Sequence, residues 1–141
     1  MTLTLLLALV LAAIFAALSA IHVYWAFRDG GDLGGAVPEK DGQPLFRPGP
    51  GSCLAVALAL ALAAGFCLAQ GGLVPWVPAA LARLGVWVLV AVFTLRAIGD
   101  FRYVGFFKRV RGTRFAKLDT RYFSPLCLLL AGLALGLVLQ P

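Results

Sequence analysis

Four apolar runs, each long enough to be a membrane span, constrain this chain more than any other feature. They fall at approximately 2–27, 52–71, 79–100 and 120–139. A hydrocarbon core ~30 Å thick needs about 20 residues of helix, because only internally hydrogen-bonded backbone is tolerated in lipid. The chain is 62% hydrophobic and 13% charged, which is too apolar for a soluble domain of 141 residues. In water it would expose apolar patches large enough to aggregate. The expected fold is therefore all-α: one domain, residues 1–141, forming an integral membrane bundle of four transmembrane helices.

The start of the fourth span is open on sequence grounds. The helix begins either near Asp119 or Thr120, which puts Pro125 inside it, or at Ser124 as N-cap with Pro125 as the first helical residue. The first run lacks a positive n-region, and Leu18 stands where cleavage after Ala20 would require a small residue. It reads as a retained anchor rather than a secretory signal.

The connections 28–51 and 101–119, with the entry to the fourth span, hold Arg28, Lys40, Arg47, Arg102, Lys108, Arg109, Arg111, Arg114, Lys117 and Arg121. On the opposite side only Arg83 is basic. The positive-inside bias makes both long connections cytoplasmic and puts both termini on the non-cytoplasmic side, as expected of a multi-pass protein of a bacterial inner (plasma) membrane. Trp76, in the short second connection, suits an interfacial anchor there. The net charge of +6 lies beside spans, and favours anionic membrane lipids over nucleic acid as a partner. The same holds for the third connection, where Phe101, Tyr103, Phe106, Phe107 and Phe115 alternate with basic residues.

Small residues recur at four-residue spacing: Ala12, Ala16 and Ala20, then Ala55, Ala59 and Ala63, then Gly132 and Gly136. Such patterns let helices approach closely in lipid. They fit packing within one bundle, with a homodimer seam as the alternative. In the first connection Asp41-Gly42 reads as the turn of a short hairpin. Gly30-Gly31 and Gly34-Gly35 read as flexible turns or, alternatively, as an anion-binding nest.

Because odd helices run inward and even helices outward, polar residues distant in sequence converge at the cytoplasmic end. Candidate ligand-binding residues are His22, Tyr24, Trp25, Arg96, Asp100, Arg102, Tyr103, Arg121, Tyr122 and Ser124. Ionisable groups at membrane depth are costly and mark functional sites by default. Arg96 and Asp100, at i and i+4 on a helix extended to residue 100, are placed to pair, with Arg102 and Arg121 as the alternative cationic partners of Asp100. A surplus of arginine over aspartate then suits an anionic head group. His22, the only histidine, and Asp100 are the candidates for an acid–base pair. Cys53, Cys67 and Cys127 have neither disulfide nor metal-ligand spacing, so no metal is expected. No nucleotide or phosphate-loop motif is present, and no cofactor is expected.

The segment Gly99-Asp-Phe-Arg-Tyr-Val-Gly-Phe-Phe-Lys108, with Phe115-Ala116, Asp119-Thr-Arg-Tyr-Phe-Ser-Pro-Leu-Cys127 and His22-Val-Tyr-Trp-Ala26, resembles a family of small bacterial four-helix membrane proteins grouped only as a domain of unknown function. The resemblance implies that His22, Trp25, Asp100, Arg102, Tyr103, Asp119 and Ser124 belong to a family pattern, and it implies no activity. The leading functional expectation is a cytoplasm-facing polar pocket binding an anionic amphiphile, such as a lipid or isoprenoid head group. The alternatives are an enzyme using His22 and Asp100 on a lipophilic substrate, or a small dimeric transporter.

Overall fold

The computed structural model describes residues 2–28 and 35–140. Gly30, Gly31 and Gly34 of the glycine pairs lie outside that range. Helix α1 (Leu3–Ala26) is followed by a two-stranded hairpin, β1 (Glu39–Lys40) and β2 (Gln43–Pro44), and then by α2 (Pro50–Gln70) and α3 (Ala79–Ile98). The last helix is continuous over Arg114–Val138. It comprises α4 (Arg114–Leu118), a π-helical turn (Asp119–Phe123) and α5 (Ser124–Val138).

Elementary capping chemistry sets several of these limits. The Thr2 hydroxyl accepts a hydrogen bond from the Leu5 N–H at 3.2 Å and starts α1. Pro50, whose missing N–H costs nothing in a first turn, opens α2. The Thr113 hydroxyl accepts from the Ala116 N–H and opens α4. The last helix thus begins earlier in the chain than the apolar run suggests, and Ser124 is not its N-cap. Pro125 lies inside it. A proline there cannot donate and crowds the preceding turn, and the helix widens in response: the Ser124 N–H bonds the carbonyl of Asp119, five residues back.

Each helix packs on two antiparallel neighbours, in the ring order α1, α2, α3, α5. The core joins Leu11 and Phe15 of α1, Leu60 and Cys67 of α2, Val86 of α3, and Leu130 and Leu137 of α5. The Phe15 and Phe93 rings meet across it at 5.4 Å. Small residues bring backbones together where they face a neighbour. A Cβ on Gly71 would run into Ala8, and one on Gly85 into the Phe66 ring. Of the four-spaced sets, Ala12 and Ala63 are buried, whereas Ala16, Ala20, Ala55 and Ala59 are exposed. Gly136 faces Leu7, while Gly132 looks onto open space. The Ser19 hydroxyl donates to the Ala57 carbonyl at 2.8 Å and ties α1 to α2.

Only 22–39% of each span is buried inside the bundle. The remaining Leu, Val and Ala form continuous apolar outer faces that lipid, not water, must cover. Four helices are long and apolar enough to cross a membrane, and the chain is a multi-pass membrane protein.

The hairpin expected at Asp41-Gly42 is present: Glu39 pairs with Pro44 and Lys40 with Gln43. Asp41 and Gly42 both take positive φ, at 52° and 76°, as a two-residue hairpin turn of matching twist requires. Helix α3 stops two residues short of Asp100. Gly99, with φ 92° and ψ −171°, turns the chain back on itself, so that Phe106 N–H bonds the Ala97 carbonyl at 2.8 Å. Gly99 and Gly105 then lie back to back, and a Cβ on Gly99 would collide with the Val104 carbonyl. Gly99→Ala should therefore cost on the order of 2–3 kcal/mol, from strained backbone alone. Thermal unfolding in detergent measures this; Gly112→Ala, where a Cβ meets nothing within 4 Å, should leave the midpoint unchanged.

Candidate functional site

Polar chemistry gathers at the end of the bundle where α1 and α3 finish and α2 and the last helix begin. At its centre is Asp119, fully buried (0% exposed) in the π turn. An uncompensated carboxylate there would be prohibitively costly, and four donors surround it. Oδ1 accepts from Arg96 Nη2 at 2.7 Å. Oδ2 accepts from Lys108 Nζ at 2.8 Å, from the Gly105 N–H at 2.9 Å and from the Ser124 hydroxyl at 3.1 Å. Lys108 is itself 2% exposed, and its remaining donors reach the Gly105 carbonyl and the Thr120 hydroxyl at 2.8 and 2.7 Å. One carboxylate thus ties together the end of α3, the third connection and the last helix.

This arrangement corrects the expected pairing of Arg96 with Asp100. The i to i+4 rule needs both residues on one helix, and Gly99 ends the helix between them. Arg96 instead spans 23 residues to Asp119. Its side chain is 32% exposed, while Nη1 is buried with no acceptor among the described residues. Two cations share one carboxylate, so the centre carries a net positive charge.

Asp100 serves its own loop. Its Oδ1 accepts from the N–H groups of Arg102, Tyr103 and Val104 at 2.9, 2.7 and 2.9 Å. Burial works against its charge, but these donors outweigh it and hold the carboxyl below the usual carboxylate range. His22 bonds the Leu18 carbonyl through Nδ1 at 2.7 Å and meets Trp25 edge-on at 5.0 Å. Since a carbonyl only accepts, Nδ1 carries the proton and Nε2 is the available nitrogen. No hydrogen bond joins His22 to Asp100.

The remaining candidates lie on the surface of the same end. Exposed Arg28 lies over the Tyr24 ring, Arg102 over Tyr103 and Arg121 over Tyr122, at 5.8, 5.1 and 5.4 Å from the centroids. None of the three arginines makes an ion pair with a described residue. The structure thus places Arg96 and Ser124 together at the buried carboxylate, Arg102 and Tyr103 on the third connection, Arg121 and Tyr122 on the π turn, and Tyr24, Trp25 and His22 at the end of α1. Sequence reasoning missed Lys108 and gave Asp119 no partner. The available signal was that Asp119 is the only acidic residue in the helix that forms the last span. Among the described residues no three His, Cys, Asp or Glu side chains gather as a metal site.

Fold and site together define a four-span membrane protein whose polar groups are concentrated at one end. The chain belongs to the family described as protein of unknown function (DUF3995), whose model matches residues 15–134, from the second half of α1 into α5. No curated protein and no solved structure matches the chain significantly.

Two predictions follow from this geometry. Asp119→Asn strands the buried Lys108 ammonium and should lower stability by about 3–5 kcal/mol. The double variant Asp119→Asn/Lys108→Met should recover part of that loss, and a thermal-denaturation double-mutant cycle reads the coupling. For Asp100, a folded-state pKa below the unfolded one stabilises the loop above the usual carboxylate range and ceases to do so as pH falls through the depressed value. Hydrogen-exchange protection of residues 102–104 should accordingly persist through the usual carboxylate range and fall away only below it, and should be absent at every pH in Asp100→Ala.

Proposed function

We propose that this protein binds the head group of an anionic amphiphile, a lipid or isoprenoid phosphate, at the basic end of the bundle. That end faces the cytoplasm in a bacterial inner membrane, with both termini on the other side. One observation carries the reading: three exposed arginines, Arg28, Arg102 and Arg121, each lie on a tyrosine ring at the same end. Tyrosine favours the membrane–water boundary, where its ring is apolar and its hydroxyl is wet. An arginine stacked on it keeps its in-plane N–H donors free for phosphate. The surplus charge at Arg96 and Lys108 adds to the field there without using their carboxylate partner. The orientation rests on the Lys and Arg asymmetry between the two ends.

The test is native mass spectrometry of the detergent-purified protein with phosphatidylglycerol. Each Arg→Gln change at positions 28, 102 and 121 should weaken retention roughly fivefold, and the triple change should do so by about two orders of magnitude. Higher salt should weaken the parent in the same direction. Equal retention by the parent and the triple variant would show this reading to be wrong.

A further inference from the structure

The two connections at the basic end do not merely lie side by side. Gly35, with φ 77°, brings the first connection so close to the last helix that a Cβ there would meet the Leu118 side chain. Between the hairpin that follows and the third connection lies a cleft of about 600 Å³, lined among others by Glu39, Lys40, Asp41, Arg102, Tyr103 and Thr113. That volume suits a small ligand or one head group.

The charge of this cleft is mixed. Glu39 and Asp41 contribute two carboxylates, and Lys40, Arg102 and Arg114 contribute three cations. Opposite charges this close in sequence and space would be expected to pair. Yet Glu39, Lys40, Asp41 and Arg102 form no ion pair: the salt bridges among described residues are those of Asp119 with Arg96 and Lys108. The hairpin fixes one wall through its turn geometry. The other wall is held by the Val110 N–H on the Arg102 carbonyl at 2.9 Å and by the backbone bonds to Asp100. A simple anion placed here meets two carboxylates, and a simple cation meets three basic groups. A molecule carrying both signs satisfies the walls together.

We propose that this cleft binds a phosphoethanolamine group, with Arg102 and Lys40 receiving the phosphate and Glu39 and Asp41 the primary ammonium. The two-carbon tether of that group puts opposite charges close together, as the cleft does. Carboxylates favour an ammonium with N–H donors over a quaternary one, which cannot hydrogen-bond. The assignment rests on the head-group reading above and narrows it from anionic phosphates in general to a zwitterion at this second position. The group can be lipid-borne, as in phosphatidylethanolamine, or free.

Native mass spectrometry on the full chain, offered equal amounts of phosphatidylethanolamine, phosphatidylcholine and phosphatidylglycerol, tests the proposal. The parent should retain the ethanolamine lipid over the choline lipid by roughly tenfold. Glu39→Gln/Asp41→Asn should bring that ratio to near one while leaving phosphatidylglycerol retention unchanged. Asp41 is exposed and Glu39 half-buried, both substitutions keep side-chain size, and asparagine tolerates the positive φ at position 41, so the melting midpoint of this variant should match the parent. Titration with soluble phosphoethanolamine separates the two sources: displacement of the lipid assigns the free zwitterion, and retention assigns the lipid-borne group. A parent without ethanolamine preference, or a double variant that keeps it, overturns the proposal. Loss of phosphatidylglycerol retention in the parent would instead overturn the broader reading.

Discussion

A carboxylate buried at the edge of a membrane bundle must be neutralised, and satisfying Asp119 organises this end of the molecule. Its two oxygens take a guanidinium from α3, an ammonium and a backbone N–H from the third connection, and a hydroxyl from its own helix. Removing water from these groups is costly, and their mutual attraction in a low-dielectric site offsets that cost only when the geometry is complete. The connection that supplies Lys108 and Gly105 is consequently a folded cap on the helix ends rather than a tether between them. Its glycines follow from the same demand. Gly99 and Gly105 let the backbone double back tightly enough for the Gly105 N–H to reach the carboxylate.

That internal neutralisation separates two kinds of basic residue that look alike in the chain. Lys108, and in part Arg96, are used up by the fold. Arg28, Arg102 and Arg121 stay on the surface, each over a tyrosine ring and outside the buried carboxylate's ion pairs. The proposed head-group binding depends on the second set, and the rigidity of its platform on the first. The hairpin extends the platform sideways, so both long connections share one surface beside the helix ends.

The four spans were legible because hydropathy over about 20 residues is a thermodynamic statement about solvent, independent of tertiary detail. The hairpin was legible because Asp41-Gly42 is among the few pairs that accept positive φ at both turn positions. Arg96 was recognisable as a charged residue at membrane depth, but its partner was not. The i to i+4 rule assumes a continuing helix, and only the crowding of Gly99 against Val104 reveals that the chain turns there. Lys108 was hidden for a different reason: it is one of many basic residues in its segment, and nothing local distinguishes the one that folds inward. The family match likewise fixes membership and leaves activity open.

The π turn at Asp119–Phe123 has a consequence for angular phase. On a regular α-helix, advancing about 100° per residue, positions 119 and 124 would point about 140° apart. The wider turn brings them round to the same side, and the Ser124 hydroxyl can reach the Asp119 carboxylate. It also offsets α4 from α5, so that Phe115 and Ala116 face inward on one side of the turn and Leu130 and Ala134 on the other. Shortening this stretch by one residue would rotate the entire polar cap relative to the apolar bundle. The extra residue thus works as a vernier between two surfaces that answer to different solvents.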